Sequence, residues 1–196
     1  MILALDSSAS GGSVALVEND QTVREIFVET PRGRGGELFT ALADILAEGP
    51  SLDRVVAGIG PGSYNGIRSA LAGAWGISQA RAIPLVGVCS LLALAEGEYC
   101  AVGDARRGQY YFARVKDGSL IEEPVLMSPE AAAERARDRR VFVPAAIEFL
   151  PWAEILMPSA ARLARIGGKL APAPGLPEPL YLKDPFITAA RSSVTG

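Results

Sequence analysis

One pattern occurs twice along this chain, and it limits the possible folds more than any other feature. Leu3-Ala4-Leu5-Asp6 is an apolar run ending in an acid; a turn with Gly11 and Gly12 follows, then a second apolar run from Ser13 to Val17. Ala101-Val102-Gly103-Asp104 is another such run, followed by the turn Ala105-Arg106-Arg107-Gly108 and the alternating run Gln109 to Val115. A third run closes each unit, Thr22 to Glu29 in the first and Leu120 to Met127 in the second. Short alternating runs separated by Gly, Asn and Asp turns read as antiparallel meanders. A repeated meander predicts an internal duplication. The expectation is an α/β chain of two lobes, residues 1–98 and 99–196, each a sheet that opens with a three-stranded antiparallel meander. A chain of 196 residues is long enough for two small lobes, each with its own core.

Between the repeats lies a glycine turn, Gly58-Ile59-Gly60-Pro61-Gly62-Ser63-Tyr64-Asn65-Gly66-Ile67-Arg68. It follows the buried-strand pattern Val55-Val56-Ala57 and precedes a helix predicted over Ile67 to Arg81. The backbone N–H groups of such a turn can hold an anion or a tight partner. The plainer alternative is a turn shaped for packing. Known glycine motifs do not fit. A Walker A loop needs Lys after its last glycine, and Ile67 is there. A dinucleotide fingerprint needs two residues between its last glycines, but three separate Gly62 from Gly66. Pro61 occupies the place of the glycine that a nucleophile elbow at Ser63 would require.

The helix after this turn is small-sided, with Gly66, Ser69, Ala70, Ala72, Gly73, Ala74 and Gly76. An interior glycine costs about 1 kcal/mol relative to alanine, and close approach of another backbone is the usual compensation. No charge lies between Arg68 and Arg81, so this helix is expected to be covered on both sides, by this chain or by another. The preceding helix, Glu37 to Glu48, is amphipathic, with Leu38, Phe39, Leu42, Ile45 and Leu46 apolar. The basic stretch Pro31 to Gly36 reads as a connector or a contact loop. Ser90 is expected to cap a short helix through Ala95, and Ser128 and Ser159 to cap two more. The segment Ala171 to Pro179 is Pro-rich; Leu180-Tyr181-Leu182-Lys183 resembles a docked apolar clip, and Ser192 to Gly196 a frayed end.

Composition excludes several chemistries. There is no histidine, so Ser-His-Asp and Cys-His couples are ruled out. A zinc site built from carboxylates and two distant cysteines is implausible, and we expect no metal ligands, no cofactor and no catalytic residue. Cys89 and Cys100 sit in apolar contexts and read as small buried hydrophobes. Met1-Ile2-Leu3-Ala4-Leu5-Asp6 lacks the basic start of a secretory signal, and the small-residue helix is too short and polar for a membrane span, so the expectation is a cytoplasmic protein with no membrane partner. The net charge of -3 gives no bulk drive toward nucleic acid.

Two lobes that each place an Asp at the first turn of a meander resemble the actin-like ATPase and sugar-kinase superfamily, with its ribonuclease H-like lobes. Within it the chain is similar to the TsaB (YeaZ) family of tRNA threonylcarbamoyladenosine biosynthesis. The resemblance is carried by Leu3-Ala4-Leu5-Asp6-Ser7-Ser8, by Gly60 to Arg68, by Gly87-Val88-Cys89-Ser90-Leu91, by Asp104 to Tyr111, and by Pro179 to Lys183. It departs from the family at Pro31 to Gly36, where a His is common, and at Tyr64-Asn65, where Phe-Thr is usual. The resemblance implies a sheet flanked by helices in each lobe and a non-catalytic scaffold. The scaffold would pair with a TsaD-like catalytic subunit, be joined by a TsaE-like ATPase, and touch tRNA only indirectly. The complex would transfer threonylcarbamoyl to the adenosine beside the anticodon.

It further implies a partner interface on the first lobe's helices, at Leu38, Leu42, Ile45, Ile67, Ala70, Leu71, Gly73, Ala74 and Trp75. A homodimer through the same helices is the other use of that surface. Gly60, Gly62, Ser63, Gly66 and Arg68 mark the glycine turn, and Asp6, Ser7 and Asp104 mark vestigial phosphate turns. The competing reading is a small-molecule kinase using Asp6 and Asp104; against it, Ser8 stands where a phosphate loop wants Gly. Both carboxylates could instead cap their own turns. The negative charge predicts weak tRNA binding by the isolated chain. Filter binding at about 0.15 M salt should give no submicromolar affinity and no steep salt slope.

Overall fold

The computed structural model describes residues 1–29, 36–173 and 175–182. Most of the Pro31 to Gly36 stretch, Lys183 and the end at Ser192 to Gly196 lie outside the described residues. The first sheet is built from β1 (Ile2–Asp6), β2 (Gly11–Glu18), β3 (Gln21–Glu29), β4 (Arg54–Gly58) and β5 (Leu85–Val88), in the order β3-β2-β1-β4-β5. Helix α1 (Glu37–Leu46) leads into β4, and α2 (Tyr64–Arg81) joins β4 to β5. The second sheet holds β6 (Glu98–Asp104), β7 (Tyr110–Lys116), β8 (Ser119–Met127), β9 (Val141–Val143) and β10 (Glu154–Ile155), in the order β10-β9-β6-β7-β8. Helix α3 (Pro129–Ala136) leads into β9 as α1 leads into β4.

From each meander's outer strand the two orders are the same: third, second, first, fourth, fifth. The first three strands are antiparallel and the rest parallel. Asp6 pairs with Ser13 and Asp104 with Tyr110, each the last residue of its lobe's first strand. The predicted duplication is thus present in topology and in the position of its acids. One element differs. Where α2 joins the fourth and fifth strands of the first lobe, residues 144–153 of the second run as turns.

Alternation along β1 and β2 sorts the first core into two layers. Leu3, Leu5, Val14 and Leu16 face α1 and α2, with Leu38, Leu42, Ile45, Ile67 and Leu71 packed against them. Ala4, Ala15, Val17 and Val56 face the other way and receive α4 (Ala160–Gly168). This helix follows the second sheet in sequence yet covers the rear of the first. Small residues allow it: Ala160, Ala161 and Ala164 are buried, and a Cβ on Gly167 would lie 2.7 Å from the Val56 side chain. Arg54 of β4 then reaches the helix end, where its guanidinium donates to the carbonyls of Gly167 at 2.7 Å and Leu170 at 2.6 Å. A cation there adds to the hydrogen bonding of the last-turn carbonyls and meets the negative end of the helix dipole. In the second lobe α3 covers Val102, Phe112 and Val141, while Tyr99, Tyr111 and Phe142 face the junction with the first lobe.

Three local features differ from expectation. Helix α2 starts at Tyr64 rather than Ile67, because the Ser63 side chain caps it by accepting from the Gly66 N–H. Ser90 caps nothing; residues Ser90–Ala93 form a 3-10 turn and the serine hydroxyl is used elsewhere. Strand β10, two residues long, carries no sequence signal. No helix among the described residues is long and apolar enough to cross a membrane.

Arg54→Ala should remove charge-assisted bonds worth about 2 kcal/mol together. Thermal melts should show a loss of about 4–8 °C for a chain of this size.

Candidate functional site

Two turns of the first lobe interlock. The first, after β1, is organised by Asp6, which is 1% exposed. Its Oδ1 accepts from the Ser8 N–H at 2.9 Å and the Ser8 hydroxyl at 2.8 Å, and its Oδ2 accepts from the Ser90 hydroxyl at 2.5 Å. Ser90 Oγ in turn accepts from the Gly60 N–H at 2.9 Å, and the Ser90 N–H donates to the Gly60 carbonyl. One carboxylate thereby ties the end of β1 to the glycine turn through the segment after β5. Burial raises the Asp6 pKa, with the hydrogen bonds from Ser90 and Ser8 opposing.

The glycine turn closes directly onto this first turn. The Ser63 N–H donates to the Ser8 carbonyl at 2.7 Å. A Cβ on Gly62 would fall 2.0 Å from the Ser8 carbonyl oxygen, and one on Gly66 1.9 Å from that of Ser7. These glycines are therefore required by backbone contact within the chain. The N–H groups of Gly60, Ser63 and Gly66 have internal acceptors, so they do not form the outward anion cradle that the motif allowed. Behind the first turn, where the lobes meet, Ala9 and Pro61 face Tyr111, Phe142, Pro144 and Leu156 across a space of about 10 Å³. That is at most one water. No nucleotide fits there.

The second acid behaves differently. Asp104 is exposed and caps its own turn, accepting from the Arg106 N–H at 2.6 Å. Asp6 and Asp104 each bind local backbone, the structural role left open from sequence. The cysteines are thiols at neutral pH: burial pushes Cys89 up to about 11 and also raises Cys100. No group of three or more Cys, Asp or Glu side chains among the described residues could hold a metal.

The residues assigned to a partner interface divide sharply. Leu38, Leu42, Ile45, Ile67, Ala70, Leu71 and Ala74 are buried against the chain's own sheet, so their side chains serve the core of this lobe. Trp75 is half-buried against the same core. Gly73 is closely approached from within the chain, since a Cβ there would lie 3.0 Å from the Phe39 ring and in contact with Leu42 and Leu5. The same two helices leave a different face open. Their outer surface carries Phe39, Tyr64, Arg68, Ala72 and Gly76, all exposed. Tyr64, Arg68, Ala72 and Gly76 recur every four residues and form one stripe of α2. A Cβ on Gly76 would touch nothing within 4 Å, so packing inside the chain does not explain that glycine. The sequence left open whether this chain or another covers the second side of α2; within this chain the stripe is uncovered.

At the head of the stripe, Arg68 donates to the Tyr64 hydroxyl and lies over its ring, and Tyr181 stacks on Tyr64 with centroids 5.2 Å apart. The Leu180 N–H binds the Ile59 carbonyl at 2.8 Å, which docks the apolar clip on the glycine turn. Sequence reasoning missed the Ser90 anchor and the Tyr64–Tyr181 stack. The first had a weak signal, a serine two residues after an apolar strand; the second had none, because the rings are far apart in sequence.

Two mixed sheets of the same topology, each flanked by helices and each with an Asp at its first turn, define a protein of the actin-like ATPase fold. Solved structures agree. A Pseudomonas aeruginosa protein described as similar to peptidase YeaZ superposes with a TM-score of 0.73 at 24% identity, over 93% of this chain and 99% of that one. YeaZ from Pseudomonas aeruginosa gives 0.69 at 25% identity, over 85% and 90%. The family model described as TsaD, tRNA N6-adenosine threonylcarbamoyltransferase, matches residues 38–139, just over half of the chain. The tRNA threonylcarbamoyladenosine biosynthesis protein TsaB of Escherichia coli is 34% identical over 151 residues, 68% of this chain and 65% of that protein. An uncharacterised Mycobacterium tuberculosis protein is 38% identical over 159 residues, 76% of this chain and 72% of its own length. The chain belongs to the YeaZ/TsaB family, within the broader group that includes TsaD.

Asp6 offers a direct test of the interlock. A carboxyl whose folded pKa lies above its unfolded value stabilises the fold when protonated. That contribution is complete below about 3.8 and is lost as pH rises through the higher folded value. Asp6→Asn cannot ionise, so the stability of the native chain minus that of the variant should fall as pH rises toward neutrality. Urea melts of both proteins from acid to neutral pH measure it; a difference that stays flat or climbs would contradict the burial of a titrating carboxyl at this position.

Proposed function

We propose that this chain is a non-catalytic scaffold which docks a TsaD-like catalytic subunit on the outer face of α1 and α2, and that a TsaE-like ATPase joins the pair. The assembly would install threonylcarbamoyl on the adenosine beside the tRNA anticodon, in the cytoplasm, with tRNA held mainly by the partners. The observation that carries this reading is the contrast between a closed site and an open surface. The space between Ala9, Pro61 and Tyr111, where the first turn meets the second lobe, is only about 10 Å³, and no histidine is present. The α2 stripe, by comparison, is bare, small-sided and headed by tyrosines and an arginine, residue types that dominate binding energy at interfaces. Small residues on one helix let a partner helix approach closely. In this reading residues 1–98 form the partner-binding lobe, and the rest braces it from behind through α4. Family membership supports the pathway. The kinase alternative finds no support, because it needs a phosphate cradle where the two turns touch.

Gly76 and Gly73 separate partner contact from internal packing. Gly76→Leu meets open space and gains helix propensity, so melting should be unchanged or higher, while affinity for the TsaD-like subunit of the same organism should fall at least about tenfold, or about 1.4 kcal/mol. Gly73→Leu should instead lower the melting temperature, since overpacking costs about 1–3 kcal/mol. Calorimetric titration decides the matter; undiminished affinity in folded Gly76→Leu would refute docking on this stripe.

A further inference from the structure

The other side of the first lobe carries a second open surface. Strand β3 is the outer strand of its sheet and, among the described residues, pairs only with β2. It is nine residues long and exposes Val23 and Phe27 at 54% and 51%. A long apolar edge strand presents unpaired N–H and C=O groups and is a template for a further strand unless something covers it. Phe27 lies opposite Ser13, on the face where α4 docks, but beyond that helix's first residue: the Ser13 hydroxyl already bonds the Pro158 carbonyl and the Ala160 N–H. The uncovered face is one wall of a cleft of about 790 Å³. Also lining it is the segment Ile155 to Met157, which begins at the last residue of β10, the outer strand of the second sheet. Ile155 is 58% exposed and lines the same cleft as Phe27.

The charges of the cleft set the chemistry of its occupant. Glu25 is engaged, accepting from the Ser159 hydroxyl and the Ala161 N–H at the start of α4. Arg162 pairs with Glu96 at 3.0 Å. Glu29, on the same face of β3 and exposed, has no cationic partner among the described residues. An apolar floor beside one engaged carboxylate and one that has no cationic partner among the described residues, along a strand edge that no described residue pairs, suits an extended segment that alternates basic and apolar residues. We propose that the β3 edge and this cleft bind such a basic peptide segment of a partner protein by strand addition. Backbone bonds to β3 would hold it, apolar side chains would fill the space between Phe27 and Ile155, and a Lys or Arg would meet Glu29. The surface lies on the opposite face of the first sheet from α1 and α2, so the inference stands apart from the docking stripe.

The probe is a fluorescent heptapeptide alternating lysine with valine, compared with its glutamate counterpart and with a version N-methylated at alternate amides. The full-length chain should bind the lysine peptide at least about tenfold more tightly than either control at about 0.15 M salt. Phe27→Ser and Glu29→Lys should each weaken it about fivefold or more with melting unchanged, as expected for exposed side chains. Equal binding of the lysine and glutamate peptides, insensitivity to N-methylation, or unaltered affinity in both folded variants would overturn the proposal. So would sedimentation showing a dimer of the native chain that Phe27→Ser dissolves, since the edge would then belong to a second copy.

Discussion

The buried carboxylate of Asp6 is the constraint on which the first lobe depends. Burying an ion is unfavourable unless it is hydrogen-bonded, and Asp6 is offered three donors, two from Ser8 and one from Ser90. Those donors come from two different connections of the sheet. Satisfying one charge therefore fixes the turn after β1, the segment after β5 and, through Gly60, the glycine turn between β4 and α2. Gly58 belongs to the same arrangement: a Cβ there would lie 1.8 Å from Asp6 Oδ2. Once these three pieces are joined, the starting point and direction of α2 follow, and with them the stripe that faces away from the core.

The same interlock separates this chain from a nucleotide-binding member of the actin-like fold. An open phosphate loop needs backbone N–H groups free to meet a ligand. Here those of Gly60, Ser63 and Gly66 are engaged by Ser90, Ser8 and Ser63. The space that such a loop would need behind the first turn is occupied by Tyr111, which packs over Gly103 and whose phenol is raised in pKa by burial. Helix α4 crosses from the second half of the chain to the rear of the first sheet and is anchored there at its two ends by Glu25 and Arg54.

Much of the fold was legible from local pattern alone. The alternation of β1, β2, β6 and β7 placed each strand, and the repeated acid before a turn announced the duplication that the matching strand orders display. Helix ends were read well where a serine caps the backbone, as at Ser128 and Ser159, and poorly at Ser90, where the hydroxyl serves a distant carboxylate instead. The site was only partly legible. A run of small residues marks α2 as closely approached, but glycine looks the same in sequence whether the neighbour is this chain, as at Gly66 and Gly73, or open space, as at Gly76.

The sequence by itself determined the class of structure and the chemistry it excludes. Period-two alternation requires sheets, the repeat requires two lobes, and an absence of histidine removes most hydrolytic couples whatever the fold. Only the tertiary structure decided which side of each helix is free, which carboxylate is buried and which caps an exposed turn, and where α4 comes to rest. The physical reason is range. Periodicity and capping are set by neighbours within a few residues. Burial, and the contacts of Asp6 with Ser90, Tyr64 with Tyr181 and Arg54 with Gly167, join residues dozens of positions apart, and no local pattern encodes which of them will meet.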